Sequence, residues 1–534
     1  MIAQLPTSQP WYLIGLPGSG KSKVGRILGA TLRVPHIDID AEIERTSGKS
    51  ISEIFSGEGE AAFRQQEAKA ILATAGQPGV FSLGGGCVET PEVRDFLRDQ
   101  TVIWIEAHQR ELLARVSRNT RRPLLVDNPE QKLLDLTERR SPLYREVATC
   151  TAQSTSGPPD EVVRQILRQL LEWDFVSVRG THRYNAITGS GVSELLAGYI
   201  PADATKALLV VPDALANQAS HIESILRGAG LGVHVFVHRD GETAKDLETL
   251  SRAWDMLGEA RIGRRDLVVT FGGGVSTDLG GFVAATWLRG VPVIHLPTTL
   301  LAMVDASIGG KTGIDTPAGK NLVGAFYDPL AVLVDLDSLV TLPQSEYTAG
   351  LAEVIKTGLI EDPEILRIIE DNPRIGDVAW AASEGMDTVA EIVQRSIAVK
   401  ARIVSADRLE GGLRETLNYG HTMGHAIERA ENYGMRHGEA VAIGCIFAAH
   451  LGVELGLINA ETAHKHELLF ESVGLPTRYR GNLSVLMEGL ATDKKARQGK
   501  LRFVLLSAGT HPAVQEVTND TVVRVATLLE MEER

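Results

Sequence analysis

Cysteine is scarce: three residues, Cys87, Cys150 and Cys445, stand in a chain of 534. They are far apart and show no metal or redox spacing, which excludes a disulfide scaffold and suits core positions in a reducing cytoplasm. Long apolar runs are missing too. No stretch of about 18 apolar residues occurs, and Met1-Ile2-Ala3-Gln4-Leu5-Pro6 has no basic n-region, so neither a membrane span nor secretion is expected. Nor is there a basic excess: 54 Lys+Arg stand against 68 Asp+Glu, a net charge of −14. Residues 1–172 carry 21 cations against 22 acids, and the remainder 33 against 46. Neither part has the cationic footprint of a general nucleic-acid binder, so any cluster of cations in the acidic part needs a local reason.

What is present divides into two units without a shared motif or internal repeat. The apolar run Trp11-Tyr12-Leu13-Ile14 leads into Gly15-Leu16-Pro17-Gly18-Ser19-Gly20-Lys21-Ser22 and then a helix-like segment, Val24 to Leu32. This fits G-x-x-x-x-G-K-[ST] between a strand and a helix, the arrangement whose backbone N–H groups cradle nucleotide phosphates. Gly18, Ser19, Gly20, Lys21, Ser22 and Lys23 are the expected nucleotide contacts, with Ser22 on Mg²⁺. Asp38 and Asp40 follow at a strand end, two apart and so on one face. Then come Phe63-Arg64, the turn Gly84-Gly85-Gly86, an arginine-rich loop from Arg118 through Arg122 to Leu125, and Arg139-Arg140-Ser141-Pro142-Leu143-Tyr144. A mobile arginine loop over ATP suits phosphoryl transfer, which is mainly positioning and charge neutralisation.

Ala152 to Pro159 has the most linker-like composition, yet Asp160 to Trp173 reads as an amphipathic helix with Val162, Val163, Ile166, Leu167, Leu170 and Leu171 on one side. The first unit therefore runs over 1–173, and 174–183 is the expected linker. Beyond it, apolar runs at Ala207–Val211, Val233–Val237 and Leu267–Phe271 alternate with helical patterns, the signature of a parallel sheet covered by helices. The third run ends in Gly272-Gly273-Gly274, a turn that a dinucleotide pyrophosphate can approach, although it is not G-x-G-x-x-G. From Tyr347 the pattern turns mostly helical, which predicts an α/β half over 184–346 and a helical half over 347–534.

The helical half holds Asn418-Tyr419-Gly420-His421-Thr422-Met423-Gly424-His425, then His437-Gly438-Glu439. On a helix His421 and His425 sit one turn apart, and a helix–turn–helix brings His437 to them, so three imidazoles are candidate metal ligands. No glutamate follows His421 as a zincin requires. Asp305, Lys311, Lys320, Glu353, Lys356, Lys400, Arg414 and the late Asp493-Lys494-Lys495 lie among glycines and apolar residues. A metal beside several cations points to a substrate carrying phosphate and carboxylate.

The first unit resembles shikimate kinase over nearly its whole length, through the P-loop, D-x-D, F-R, G-G-G, R-P-L-L and R-x-P-L-Y in order. The resemblance implies that Asp40, Arg64, Arg140 and Gly84–Gly86 hold shikimate, that Arg122 lies near ATP, and that Asp38 supports Mg²⁺ and the attacking hydroxyl. The second unit resembles 3-dehydroquinate synthase over about 185–510. That resemblance implies a Rossmann-like half and a metal-binding half. Glu353, His421 and His437 would hold Zn²⁺ or Co²⁺. NAD would lie on Asp240, Glu242, Lys245, Gly273, Gly274, Asp278, Thr298, Thr299, Ser338, Thr341 and Leu342, with Lys311 and Lys320 nearby. Substrate would meet Asp305, Lys311, Lys320, Asn321, Lys356, Lys400, Arg414, Asn418 and His425. The implied chemistry uses NAD and regenerates it, eliminates phosphate from a seven-carbon keto-acid sugar phosphate and closes a carbocycle. A homodimer through the second unit is also expected. The alternatives are a related sugar-phosphate cyclase and a metal-dependent polyol dehydrogenase; against the latter stand Lys311, Lys356, Lys400 and Arg414, an anion site that a neutral alcohol does not need.

Overall fold

A computed structural model describes residues 8–116, 129–409, 411–481, 485–487, 490, 500–507 and 511–529. The chain parts into two units at Asp174/Phe175. In the first, strands β1 (Pro10–Ile14), β2 (His36–Asp38), β3 (Gly79–Ser82), β4 (Thr101–Ala107) and β5 (Cys150–Ser154) form one sheet in the order β2-β3-β1-β4-β5. Every pairing is parallel. The all-apolar β1 is central and wholly buried, as a strand covered on both faces must be. Helix Lys21–Leu32 starts directly from the glycine loop, and helix Pro159–Leu171 buries the six apolar residues that its periodicity singles out.

The second unit contains β6 (Asp174–Arg179), β7 (Arg183–Gly189), β8 (Lys206–Pro212), β9 (Gly232–His238), β10 (Leu267–Gly272), β11 (Val293–Pro297), β12 (Lys311–Thr316), β13 (Gly319–Phe326) and β14 (Ala331–Asp335). Seven of them make a sheet in the order β6-β7-β14-β11-β10-β8-β9, and β12 and β13 form a separate hairpin. The stretch 174–183, expected as a linker, is not one: its first six residues are the edge strand β6 beside β7. Phe175 and Val178 are buried, so this segment is held by apolar packing. The order of strands reverses at β8, the position at which open α/β sheets bind ligands beyond the carboxyl ends of their strands.

After β14 come the long helices Gln344–Ile360, Met386–Ala406, His421–Ala430 and His437–Glu454, which share one large apolar core with β7 and β14. A closing antiparallel hairpin, β15 (Lys500–Ser507) and β16 (His511–Thr518), interrupts the helical pattern. Two glycines let the helices meet. A Cβ on Gly438 would lie 1.9 Å from the Ala349 carbonyl oxygen, and one on Gly444 would lie 2.0 Å from that of Gly420. Among the described residues no helix is long and apolar enough to cross a membrane.

Candidate active sites

In the first unit the loop before helix Lys21–Leu32 is pinned from several sides. Lys21 Nζ donates to the carbonyls of Gly15 (2.7 Å) and Leu16 (3.2 Å), and Ser22 Oγ donates to Asp38 Oδ2 at 2.5 Å. Gly18 and Gly20 take positive φ, the left-handed conformation that lets a loop turn this tightly, and Ser19 N–H closes it onto the Leu16 carbonyl at 3.1 Å. Ser19 is buried and Lys23 is exposed. Arg115, a residue that the motifs do not single out, donates to Ser154 Oγ at 2.9 Å and reaches the carbonyls of Gly18 and Ser19 at 3.4 Å. Arg122 and its loop lie outside the described residues.

Beside the loop, Asp40, Arg64 and Gly84–Gly86 come together. A Cβ on Gly84 would lie 2.1 Å from Glu67 Oε1 and 2.9 Å from Asp40 Oδ1, and one on Gly86 would lie 2.2 Å from Arg64 Nη2. Side chains at these positions would fill the cradle, which is why glycine stands there. Arg64 Nη1 donates to Glu67 Oε2 at 2.6 Å, and Arg140 Nη2 to Glu89 Oε2 at 2.8 Å. Glu67 is 1% exposed; burial, only partly offset by Arg64, pushes its pKa up to about 6. Sequence reasoning missed both glutamates. The i,i+3 relation of Arg64 and Glu67 on one helix face signals the first; nothing local signals Glu89.

In the second unit the nucleotide-type residues gather at the strand ends. Helix Gly274–Thr286 begins at the glycine turn after β10, and a Cβ on Gly273 would lie 3.0 Å from Thr299 Cγ2. Lys245 Nζ joins Asp278 (2.8 Å), Asn321 Oδ1 (2.6 Å) and Glu242 (3.3 Å). Burial alone would lower the Lys245 pKa, but Asp278 and Glu242 outweigh it and keep the ammonium charged. Asp240 accepts from the Ala214 N–H at 3.1 Å, and Thr298 N–H donates to the Gly272 carbonyl at 3.0 Å. A cavity of about 330 Å³ at the ends of β10, β11 and β14 is lined by Phe271, Leu296, Pro297, Asp335, Ser338 and Thr341; Leu342 is buried just beyond.

The histidines converge as the helical spacing predicts, and a carboxylate joins them. His421 Nε2 lies 3.6 Å and His437 Nε2 3.7 Å from Glu353 Oε1, an atom with no hydrogen-bond partner among the described residues. His421 Nδ1 faces the Tyr419 carbonyl at 3.2 Å and His437 Nδ1 faces Glu428 Oε2 at 3.3 Å. Each Nδ1 therefore carries a proton toward its acceptor, and each Nε2 is turned toward Glu353. Burial opposes ionisation of Glu353, yet Lys356 and the two imidazoles hold it well below the usual range. Burial beside Lys356 pulls His421 down to about 3, whereas Glu353 and Glu428 overcome burial at His437 and push it up to about 10. The Glu353 carboxylate and the neutral His421 imidazole offer lone pairs as they stand, and His437 offers its own on releasing the Nε2 proton, a donor set that suits Zn²⁺. His425, one turn on and exposed, has its ring 5.4 Å from that of His421.

Around this centre stand the cations. Lys356 Nζ contacts Glu353 and donates to the Leu417 carbonyl at 2.8 Å. Lys400 Nζ donates to Asp305 Oδ1 at 2.6 Å, and Lys320 Nζ to Glu428 Oε1 at 3.1 Å. Burial lowers the Lys400 pKa, opposed by Asp305. Arg414 is buried, with Nη2 3.3 Å from the Gly309 carbonyl and its guanidinium over the Phe326 ring. Lys311 opens β12 with an exposed side chain, and Asn418 ends the short helix before Tyr419. Asn321 is drawn to Lys245, in the nucleotide cluster, by its side chain. Glu428 was missed, though it lies seven residues after His421 and so on the same helix face. Asp493-Lys494-Lys495 lie outside the described residues.

A phosphate-binding loop and an acid–arginine cradle on a five-stranded parallel sheet define a small-molecule phosphotransferase. A glycine-turned α/β half followed by a helical carboxylate–imidazole centre defines the class shared by sugar-phosphate cyclases and metal-dependent polyol dehydrogenases. The family model for shikimate kinase matches residues 17–171. The models for 3-dehydroquinate synthase match 235–349 (N-terminal) and 350–496 (C-terminal). The 3-dehydroquinate synthase of Corynebacterium efficiens is 48% identical over 340 residues, covering 63% of this chain and 92% of the relative. That of Thermobifida fusca is 48% identical over 353 residues, covering 66% and 95%. A crystal structure of 2-deoxy-scyllo-inosose synthase complexed with carbaglucose-6-phosphate, NAD+ and Co2+ superposes with a TM-score of 0.59 at 26% identity, over 67% of this chain and 99% of that one. The chain belongs to the 3-dehydroquinate synthase family and carries a shikimate kinase on the same polypeptide. It is a bifunctional enzyme of the shikimate pathway, a kinase and a cyclising lyase. Identity of 48% to 3-dehydroquinate synthases, against 26% to the other cyclase, does not favour the alternative readings.

Proposed function

We propose that Glu353, His421 and His437 hold a Zn²⁺ or Co²⁺ ion, and that the cavity and glycine turn of the second unit hold NAD. The observation that carries this is Glu353 Oε1, buried and facing two Nε2 atoms at 3.6 and 3.7 Å. A tetrahedral ion with bonds of about 2.0–2.1 Å keeps its ligands about 3.3 Å apart, so the three atoms need only a small closure. When bound, the ion supplies Lewis acidity at the substrate hydroxyls and NAD supplies a reversible hydride acceptor.

The chain's own residues do the rest. Glu428 orients His437 through Nδ1 and neutralises Lys320. Lys356, Lys400 and Arg414 bind the substrate's phosphate and carboxylate, and their burial strengthens each charge-assisted contact. Each is already held by a backbone carbonyl or a carboxylate, so little reorganisation accompanies binding. The exposed imidazole of His425 relays the proton of the reacting hydroxyl.

In the first unit, Lys21 turns from the loop carbonyls to the transferred phosphate, and Ser22 with Asp38 holds the Mg²⁺ that accompanies ATP. Asp40, Arg64 and Arg140 bind shikimate against Gly84–Gly86, where the guanidinium fork fits a carboxylate bidentately.

A cytoplasmic homodimer formed through the second unit completes the reading. The three cysteines are buried and unbridged, and Leu322, Val323 and Phe326 lie exposed on β13, an apolar surface for such a contact. Metal analysis tests the central assignment: His437→Ala should lose both zinc and synthase turnover, whereas His425→Ala should keep one zinc per chain and lose turnover. Full zinc in His437→Ala would overturn it.

A further inference from the structure

Directly after the glycine cradle, the short turn Cys87–Glu89 delivers a third carboxylate to the arginines of the first unit. Glu89 Oε2 accepts from Arg140 Nη2 at 2.8 Å and lies 3.7 Å from Arg64 Nη2, while its Oε1 pairs with Arg139 Nε at 2.6 Å. Arg140 is 3% exposed, so its charge requires an acceptor within the protein or from a ligand. Arg64 already has a permanent partner in Glu67, which is 1% exposed and cannot leave. Glu89 differs from Glu67: its side chain is 22% exposed, and its far oxygen is held by Arg139, whose own side chain is 61% exposed. It can swing toward solvent without breaking the core.

We propose that Glu89 is a stand-in for the substrate carboxylate, occupying Arg140 and Arg64 in the free enzyme and yielding them when shikimate arrives. The inference rests on the reading of Arg64 and Arg140 as the shikimate arginines. The two anions compete for the same guanidinium groups, so Glu89 satisfies Arg140 between turnovers and raises the substrate concentration at which the site fills. Its side chain neither accepts nor donates a proton in the transfer; it sets affinity. A carboxylate that only propped the arginines in place would act in the opposite direction, because removing it would loosen them and weaken binding.

The test uses the full chain carrying Glu89→Gln or Glu89→Leu, with ADP formation followed at varied shikimate and at varied ATP. Losing one partly exposed competing ion pair is expected to lower the KM for shikimate about three- to tenfold, with the KM for ATP unchanged. Shikimate titrated calorimetrically without nucleotide should bind more tightly by the same factor. A KM for shikimate that is unchanged or raised in both variants, with the wild-type chain active, overturns the proposal alone. A wild-type chain that forms no ADP with shikimate overturns the kinase-site reading and this inference with it.

Discussion

Replacing Gly438 by alanine joins helix packing to metal chemistry in one substitution. Its Cβ would lie 1.9 Å from the Ala349 carbonyl oxygen, about 1.5 Å inside the 3.4 Å at which ordinary contact begins. The obstacle is backbone in a helix buried from Ala349 through Ile360, so no side chain can rotate aside. Overpacking of this kind costs about 1–3 kcal/mol, and the simplest relief parts the two helices by something of the order of 1 Å. His437 precedes Gly438, and Glu353 lies one turn beyond Ala349, so parting the helices pulls the two proposed ligands apart. Metal bonds hold within about ±0.2 Å, several times less than that displacement. Zinc affinity should fall at least about 100-fold and synthase turnover with it, while kinase activity stays at the wild-type level. Metal content after dialysis, phosphate release and ADP formation on one preparation decide the matter. A Gly438→Ala chain that keeps stoichiometric zinc and normal phosphate release would refute the reasoning.

Three further outcomes are expected. Lys21→Ala should reduce shikimate phosphorylation by at least about 100-fold, since phosphoryl transfer rests on charge stabilisation; synthase activity should be unaffected, and loss of both would mean that the units are coupled. Glu67, with a pKa raised from 4.5 to about 6 in the folded state, binds more protons folded than unfolded between those values, so its ionisation destabilises the first unit as pH rises through that window. Melting curves of Glu67→Gln against wild type should therefore diverge by about 1.5 kcal/mol between pH 4.5 and 6.5, with wild type losing ground as pH rises; a parallel pH dependence would contradict the assignment. Exchanging Glu428 for glutamine, which keeps the shape but removes the charge that orients His437 and neutralises Lys320, should weaken zinc about 10–100-fold by equilibrium dialysis.

Much of the fold was legible because apolar residues recur with clear periods. The buried side of helix Pro159–Leu171 and the runs that became β8, β9 and β10 follow directly from their patterns. Strand β6 was not legible: Asp174-Phe175-Val176-Ser177-Val178-Arg179 is short and flanked by polar residues, and only its pairing beside β7 makes it a strand. The hairpin β15–β16 was overlooked for a different reason: Phe503-Val504-Leu505-Leu506 is a visible apolar run, but a short apolar run inside a helical region is read as helix until its pairing with β16 is known. At the site, helical spacing found the histidines but not Glu353, which reaches them from another helix through contacts that the glycines permit. Lone acids give no local signal. Glu89 gains its meaning only when the fold sets it among three arginines.

The most direct test of the account supplies the purified chain with the seven-carbon keto-acid phosphate and NAD at a small fraction of the substrate concentration. The account predicts phosphate released in large excess over NAD, with no accumulation of NADH. Phosphate release limited to the NAD supplied, with NADH formed in equal amount, would contradict it.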